Sequence, residues 1–297
     1  MINYSIIIPH KNIPALLQRC LDSIPRREDV QIIVVDDNSD TDKVDFANFP
    51  GLNDPFVEVI FGKNENGRKG AGYARNLGLE CAKGKWLLFA DADDYFLSEA
   101  FAYFDEYVAS EYDIIYWNRN NFDTYFSLLD EDILRYQYYA PWSKMIRRSL
   151  VEKNCIRFEE VIASNDIMFS VKIGFYANRI VADNRKLYFH VFRKGSLVNT
   201  ISPEIVKARL IEIVKGTKFL NSIGKGRMAE SPRITLWLSL HCGIKTFLWS
   251  VKTIVVNRLP LWTGFSFKRL FRYFSPQTRL VRSTYKVYQK NDNPARH

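Results

Sequence analysis

The sequence predicts an α/β protein: a mostly parallel sheet with helices on both faces, followed by a C-terminal helical appendage. Three observations predict it. Apolar runs alternate with helical periodicities through about residue 117. The runs are continuously apolar, as strands covered on both faces require. The chain has 297 residues, 47% of them hydrophobic, enough for one large domain or one domain plus an appendage.

"YSIIIP" (4–9) is a β-branched run ended by proline and reads as a buried strand. "IPALLQRCLDSI" (13–24) repeats its apolar residues on one helical face, with Pro14 in the first turn. "QIIVVDD" (31–37) and "FVEVIF" (56–61) are further strands. "GAGYARNLGLECAKG" (70–84) reads as a helix with a glycine-rich entrance and Gly84 past its end. "KWLLFA" (85–90) is the next strand. A helix over 97–109 has Ser98 as its expected N-cap, and "DIIYW" (113–117) is a strand. From 118 the pattern is irregular. A short strand and a basic helix occupy 140–158, a helix 164–177, a strand 186–192 with a turn at "RKGS", and helices 204–223 and roughly 232–257. The expected division is 1–200, with a first part to about 117 and a second over 118–200, then a basic region over 201–297. The weakest seam is 193–203.

The net charge of +9 is unevenly spread. Residues 201–297 hold 18 Lys/Arg and 4 Asp/Glu, whereas residues 1–200 hold 24 and 29. That asymmetry points to two jobs. Cys20, Cys81, Cys155 and Cys242 are far apart, with no CxxC pair or Cys/His cluster, which points to a reducing compartment. "MINYSIIIPH" has no basic n-region and its apolar run stops at Pro9, so no signal peptide is expected. No run reaches the ~18 apolar residues of a membrane span. The expected location is cytoplasmic.

Three strands end in polar clusters: "PHKN" (9–12), "DDNSD" (36–40) and "DADD" (91–94). Parallel sheets bind ligands beyond the carboxyl ends of their strands, so neighbouring strands would bring these clusters to one rim. D-x-D at Asp91 and Asp93 suits a hard divalent cation, Mn²⁺ or Mg²⁺, that also binds phosphates. It equally suits a solvated turn with helix-capping acids. "DDNSD" reads as a grip on ribose or base, or as a turn. "GRKGAGYARN" (67–76) joins flexible backbone and cations at a helix start, a setting for phosphate oxygens. It is neither a dinucleotide fingerprint nor a P-loop.

Order and spacing together are more specific. Strand–PHKN, helix, strand–DDNSD and then "GAGYARNLGLECAKGKWLLFADADDYF" resemble family 2 glycosyltransferases of the GT-A fold. The resemblance covers about 3–117 closely and 140–196 more loosely, and "PWSKMIRRSLVEKNCIRF" is similar to the acceptor-side segment of such enzymes. It implies a nucleotide-sugar donor, most often a UDP-sugar, and a divalent metal. It implies donor contacts from Pro9, Lys11, Asp37, Gly72, Arg75 and Asp91, with Asp37 at the base and Asp91 on the ribose side. Asp93 would hold the metal, with Asp91 beside it. His190 is a candidate third ligand, or a half-buried strand residue. The base implied at the entrance of a later helix is usually Glu-Asp. Here the pair reads Asn165-Asp166, which leaves Asp166 as the base; its alternative role is to complement the helix dipole.

Two departures stand out. The family often has Tyr where this chain has Lys11, and the Q-x-x-R-W signature of processive members is absent, which implies one sugar per encounter. The implied acceptor is a saccharide or lipid-linked saccharide, in cell-surface polysaccharide synthesis of a bacterial type. Residues 232–273 interleave Trp237, Trp249 and Trp262 with Lys245, Lys252, Arg258, Lys268, Arg269 and Arg272. That suits peripheral contact with the inner face of a membrane, or a basic helix pair packed on the catalytic domain. No motif supports nucleic-acid binding. A non-catalytic nucleotide-sugar-binding relative and a nucleotidyltransferase are the rival readings.

Overall fold

The computed structural model describes residues 1–63, 70–118, 129–191 and 201–261. In chain order, the elements that build the sheet and its layers are β1 (Tyr4–His10), α1 (Pro14–Asp22), β2 (Val30–Asp36), β3 (Val57–Phe61), α2 (Ala71–Cys81), β4 (Trp86–Phe89), β5 (Tyr95–Phe96), α3 (Ala100–Asp105) and β6 (Ile114–Trp117). There follow α4 (Glu131–Gln137), β7 (Lys144–Arg147), α5 (Arg148–Lys153), α6 (Ile167–Tyr176), β8 (Ile180–Asp183), β9 (Tyr188–Phe189), α7 (Pro203–Ser222), α8 (Arg233–Leu240) and α9 (Ile244–Val256).

Among the described residues, seven strands form one sheet in the order β3-β2-β1-β4-β7-β6-β8. The first four run parallel, β7 is antiparallel to both its neighbours, and β6 and β8 are parallel. The sheet is buried on both faces, which is why its strands read as unbroken apolar runs. Ile6 and Ile8 point into a cluster with Leu17 and Leu21 of α1 and Phe101 and Phe104 of α3. Ile7, between them, points into another with Ala74 and Leu79 of α2 and Phe169 and Ile173 of α6. Fully burying one such side chain contributes about 1.5–3 kcal/mol.

Pro9 lies inside β1 and does not end it. Ala90 N–H donates to the Ile7 carbonyl, so odd-numbered residues of β1 turn their backbone toward β4, whose ladder stops at Ile7–Phe89. The N–H that proline lacks therefore faces a side with no strand to pair.

Several expectations need correction. Gly84 does not cap α2, which ends at Cys81 with Ala82 extended. It is a close-approach residue: a Cβ there would sit 2.4 Å from the Ser5 nitrogen. Ser98 does not cap α3. Leu97 N–H is tied to the Leu187 carbonyl at 3.0 Å, so the helix begins only at Ala100, with Glu99 in the cap position. The strand expected over 186–192 is two residues long and pairs with β5, away from the main sheet. Its turn at "RKGS" lies outside the described residues. α4, β5 and β8 were not anticipated. The helix expected over 232–257 is broken by Gly243, whose φ of 90° ends one helix and opens the next.

The C-terminal helices share a core with α4 and α6. Tyr136, Ile167 and Val171 pack with Leu210, Ile213, Leu220 and Ile254. A Cβ at Gly216 would lie 3.2 Å from Ile167 Cγ2, so α7 passes close over the start of α6.

Candidate active site

The order β2-β1-β4 brings the ends of three parallel strands to one rim, as the polar clusters predict. His10 is paired to Asp36 across it. The Asp36 carboxylate is buried, 2.8 Å from His10 Nδ1, and accepts from Ser39 N–H at 2.8 Å. Ile13 N–H donates to His10 Nε2, so the proton on this imidazole sits at Nδ1 and is donated to Asp36. Burial opposes ionisation of Asp36, but the His10 and Ser39 hydrogen bonds outweigh it and hold its carboxyl below the usual range.

Asp37 turns the other way. Both its carboxylate oxygens lie 2.9 Å from Gly70 N–H, so it anchors the entrance of α2. Lys11 Nζ donates to the Asp37 carbonyl at 2.7 Å and to that of Asn38 at 3.2 Å, which keeps the ammonium beside Asp37. Residues 67–69 of the basic loop lie outside the described residues.

α2 is the seam between the two halves of the site. A Cβ at Gly72 would fall 2.0 Å from the Glu159 carbonyl oxygen, so this glycine admits the segment that precedes α6. Arg75 is buried. Its Nη2 donates to Asp91 Oδ1 at 2.6 Å and its Nη1 to Asn165 Oδ1 at 2.8 Å, while its guanidinium lies over Phe158. Asn76 pairs with the Phe158 backbone in both directions, at 3.0 and 2.9 Å. The A-R-N of the motif thus clamps the β4 rim to the later segment.

The three acids after β4 do different things. Asp91 faces Arg75, and its backbone N–H donates to Tyr188 Oη at 2.8 Å. Asp93 is partly exposed, and its carbonyl accepts from Arg19 at 2.6 Å. Asp94 is fully buried; it accepts from Val191 N–H at 2.8 Å and meets His190 Nδ1 at 3.0 Å. Burial raises the Asp94 pKa, and the Asp94 hydrogen bond raises that of His190. The His190 ring stacks on Trp142, 5.4 Å away and 9° from parallel. Among the described residues no three His, Cys, Asp or Glu side chains are grouped closely enough to hold a metal. The donor set therefore does not fit an all-protein cage. A hard cation that draws most of its oxygens from phosphates and water would need only one or two carboxylates from such a rim.

Asp166 occupies the N-cap position of α6 with helical φ and ψ, and its side chain makes no capping hydrogen bond. Burial raises its pKa, the Arg75 and Lys144 charges partly oppose that, and Asp91 adds to it. Asn165 is buried and presents Arg75 with a neutral oxygen, since Asp91 already supplies the charge.

A family model described as "Glycosyl transferase family 2" matches residues 5–156, more than half of the chain. The chain is a family 2 glycosyltransferase. It is 28% identical over 228 residues to the poly(ribitol-phosphate) beta-N-acetylglucosaminyltransferase TarS of Staphylococcus aureus, covering 69% of this chain and 38% of that protein. The chain thus spans little more than a third of that relative's length. The crystal structure of S. aureus TarS 1–349 with UDP-GlcNAc superposes with a TM-score of 0.64 at 22% identity, over 87% of this chain and 82% of that one. The Pyrobaculum calidifontis mannosyltransferase PcManGT, crystallised with GDP-Man and Mn²⁺, gives 0.51 at 17% identity over 97% and 82%. These likenesses bear on the GT-A fold: a mostly parallel sheet layered with helices.

Some residues beside this candidate site carry little sequence signal. Lys144 is buried, and its ammonium donates to the Ala140 carbonyl at 2.8 Å and to Ser170 Oγ at 3.3 Å. Its sequence signal, a lone Lys in "PWSKMI", is weak. Glu230, beyond α7, interacts electrostatically with Asp166. Its surface is exposed, yet crowding by neighbouring atoms and that charge raise its pKa, and Arg209 opposes them. Nothing local in the sequence connects residue 230 with residue 166. Glu159 and Glu160 are engaged elsewhere: Lys215 Nζ lies 2.6 Å from Glu159 Oε2, and Asn76 donates to Glu160 Oε1 at 3.1 Å.

Proposed function

We propose that the chain transfers one sugar at a time from a nucleoside-diphosphate sugar, a UDP-sugar first of all, to a saccharide or lipid-linked saccharide hydroxyl, with inversion, in cell-surface polysaccharide synthesis. The observation that carries this reading is Asp166: a carboxylate not spent on capping, held at raised pKa, and linked through Asn165 and Arg75 to Asp91 on the strand rim. TarS, with its UDP-GlcNAc complex, supports the donor class.

In the proposed reaction Asp166 accepts the proton of the acceptor hydroxyl. That oxygen attacks the anomeric carbon as the bond to the diphosphate breaks on the opposite face, its electron pair leaving with the nucleoside diphosphate. A raised pKa suits a base that takes its proton as the bond forms. Pro9, Lys11, Asp37, Gly72, Arg75 and Asp91 form or support the donor side, with Lys11 as its cation. A divalent metal, Mn²⁺ or Mg²⁺, would be held by Asp93 with Asp91 near it and would neutralise charge on the leaving diphosphate. His190 Nδ1 is engaged by Asp94, so on this reading the metal takes its remaining donors from phosphate and water. On this reading 1–117 hold the donor, 118–200 the acceptor, and 201–297 form the basic appendage that gives peripheral contact with the cytoplasmic face of a membrane. Among the described residues no helix is long and apolar enough to cross one.

Asp166→Asn is the test. Transfer should fall by ~10²–10⁴-fold while UDP-sugar binding persists. Transfer within a few-fold of the parent would remove Asp166 as the base. Asp93→Ala should abolish metal-dependent donor binding with the fold intact, and unchanged turnover would remove that assignment.

A further inference from the structure

α8 and α9 bury the opposite side chains from a water-facing helix pair. The buried positions are Thr235 and Ser239 on α8, and Thr246, Ser250 and Ile254 on α9. Three of these hydroxyls bond to carbonyls a turn earlier in the chain. Ser239 Oγ donates to the Leu236 carbonyl at 2.6 Å, Thr246 to Cys242 at 3.3 Å and Ser250 to Thr246 at 2.9 Å. These three therefore need no polar partner from elsewhere in the protein.

Ile254 packs into the core with Leu236 and Trp249 beside it, but five other large apolar side chains point outward. Ile234, Trp237, Leu240, Ile244 and Leu248 are 53–73% exposed. A helix in water turns such residues inward. Small and hydroxylated residues at the helix contact, with large aliphatic ones outside, are the packing of helices whose surroundings are lipid.

Charge points to the same surroundings. Residues 231–291 contain no Asp or Glu. At ~100° per residue, Ile244, Leu248 and Val255 fall within about 40° of one another, and Lys245 and Lys252 flank that stripe on one side. Lysines beside an apolar stripe can keep their ammonium groups in the headgroup layer. α9 has 13 residues and α8 has 8, so neither spans an apolar layer ~30 Å thick.

We propose that the α8–α9 pair is an interfacial membrane element: its outward Ile234, Trp237, Leu240, Ile244 and Leu248 enter the apolar layer of an anionic bilayer, and Lys245 and Lys252 stay at its headgroups. This deepens the peripheral contact proposed above and rests on it, not on the transfer chemistry.

The test is co-sedimentation of the full chain with vesicles of phosphatidylglycerol and phosphatidylcholine, against phosphatidylcholine alone, without donor or acceptor. Binding should be strong on the anionic vesicles at low salt and weak on the neutral ones. The variant Ile234→Ser/Trp237→Ser/Leu240→Ser should lose at least about tenfold in partitioning at low salt, where charge attraction is intact. Lys245→Glu/Lys252→Glu should also lose at least about tenfold, and its residual binding should depend less on salt. Both substitute exposed positions, and an unchanged thermal midpoint checks the fold. Because donor turnover is not measured, failure here leaves the glycosyltransferase reading untouched. Three results would overturn the proposal: no binding by the intact chain, binding indifferent to the serine substitutions, or a dimer that the serine substitutions dissociate. The last would assign the apolar faces to a second copy of this chain.

Discussion

Asp36 and Asp166 are the same residue type, one ending a strand and the other opening a helix, and the protein holds them in opposite conditions. Asp36 is buried but accepts hydrogen bonds from His10 and Ser39, and its pKa is lowered. Asp166 retains some exposure, makes no capping bond, and its pKa is raised. Burial acts on both. Hydrogen bonds to the charged form decide which way the balance goes. Donors from His10 and Ser39 outweigh burial at Asp36, whereas the backbone N–H of Asp166 alone does not outweigh it at Asp166.

Arg75 is where the contrast can be broken most strongly, because it ties the two sides through Asp91 and Asn165. Arg75→Met should lower transfer by at least ~10²-fold, since misplacing reacting groups by about an ångström costs that much. It should also cost about 2 kcal/mol in a denaturant titration, below the ~3–5 kcal/mol for a fully buried pair because Asp91 remains 30% exposed.

The two aspartates should respond to the same substitution with opposite sign. Asp36→Asn should cost about 1–3 kcal/mol at pH 7, because it upsets the hydrogen bonds of His10 and Ser39. The folded-state pKa of Asp36 lies below its unfolded value of 3.8, so its contribution is present above 3.8 and lost as pH falls through the folded value. The variant should therefore show a smaller difference in stability between pH 7 and pH 3. Asp166→Asn should leave stability at pH 7 unchanged or raise it by up to about 1 kcal/mol, as removal of a strained functional group often does. Its raised pKa makes the carboxylate a cost above the folded value, and that cost recedes as pH falls toward 3.8. Equal losses from the two variants at pH 7 would show that hydrogen bonding does not separate them.

The smallest effect should come from Glu159→Gln. Its partner Lys215 also lies 2.8 Å from Glu212, so the ammonium keeps a carboxylate. Stability should change by about 0.2–1 kcal/mol, the usual range for a partly exposed pair. If this link steadies the segment that carries Asp166, acceptor KM should rise a few-fold with kcat nearly unchanged, and steady-state kinetics would detect the split.

Much of residues 1–117 was legible because its pattern is local. Strand, polar cluster and helix follow one another within a few residues, and a parallel sheet forces neighbouring strand ends onto one rim. Residues 118–200 were less legible. β9 is two residues long and exists by pairing with β5, and α4 and β8 carry little periodic signal. Gly84 had the look of a helix stop, but its reason is the backbone of Ser5, 79 residues earlier.

The sequence by itself determined the alternation of buried strands and helices, the acids at the strand ends and the basic C-terminal composition, since each depends on residues close together along the chain. Only the tertiary structure decided that Asp94 is taken by His190, that Arg75 joins Asp91 to Asn165, and that the charge of Asp166 acts on Glu230. It also decided that α8 and α9 turn Thr235, Ser239, Thr246 and Ser250 inward and Ile234, Trp237, Leu240, Ile244 and Leu248 outward. Burial and long-range pairing are properties of what packs against a residue, and residues up to 97 positions apart supply those partners here.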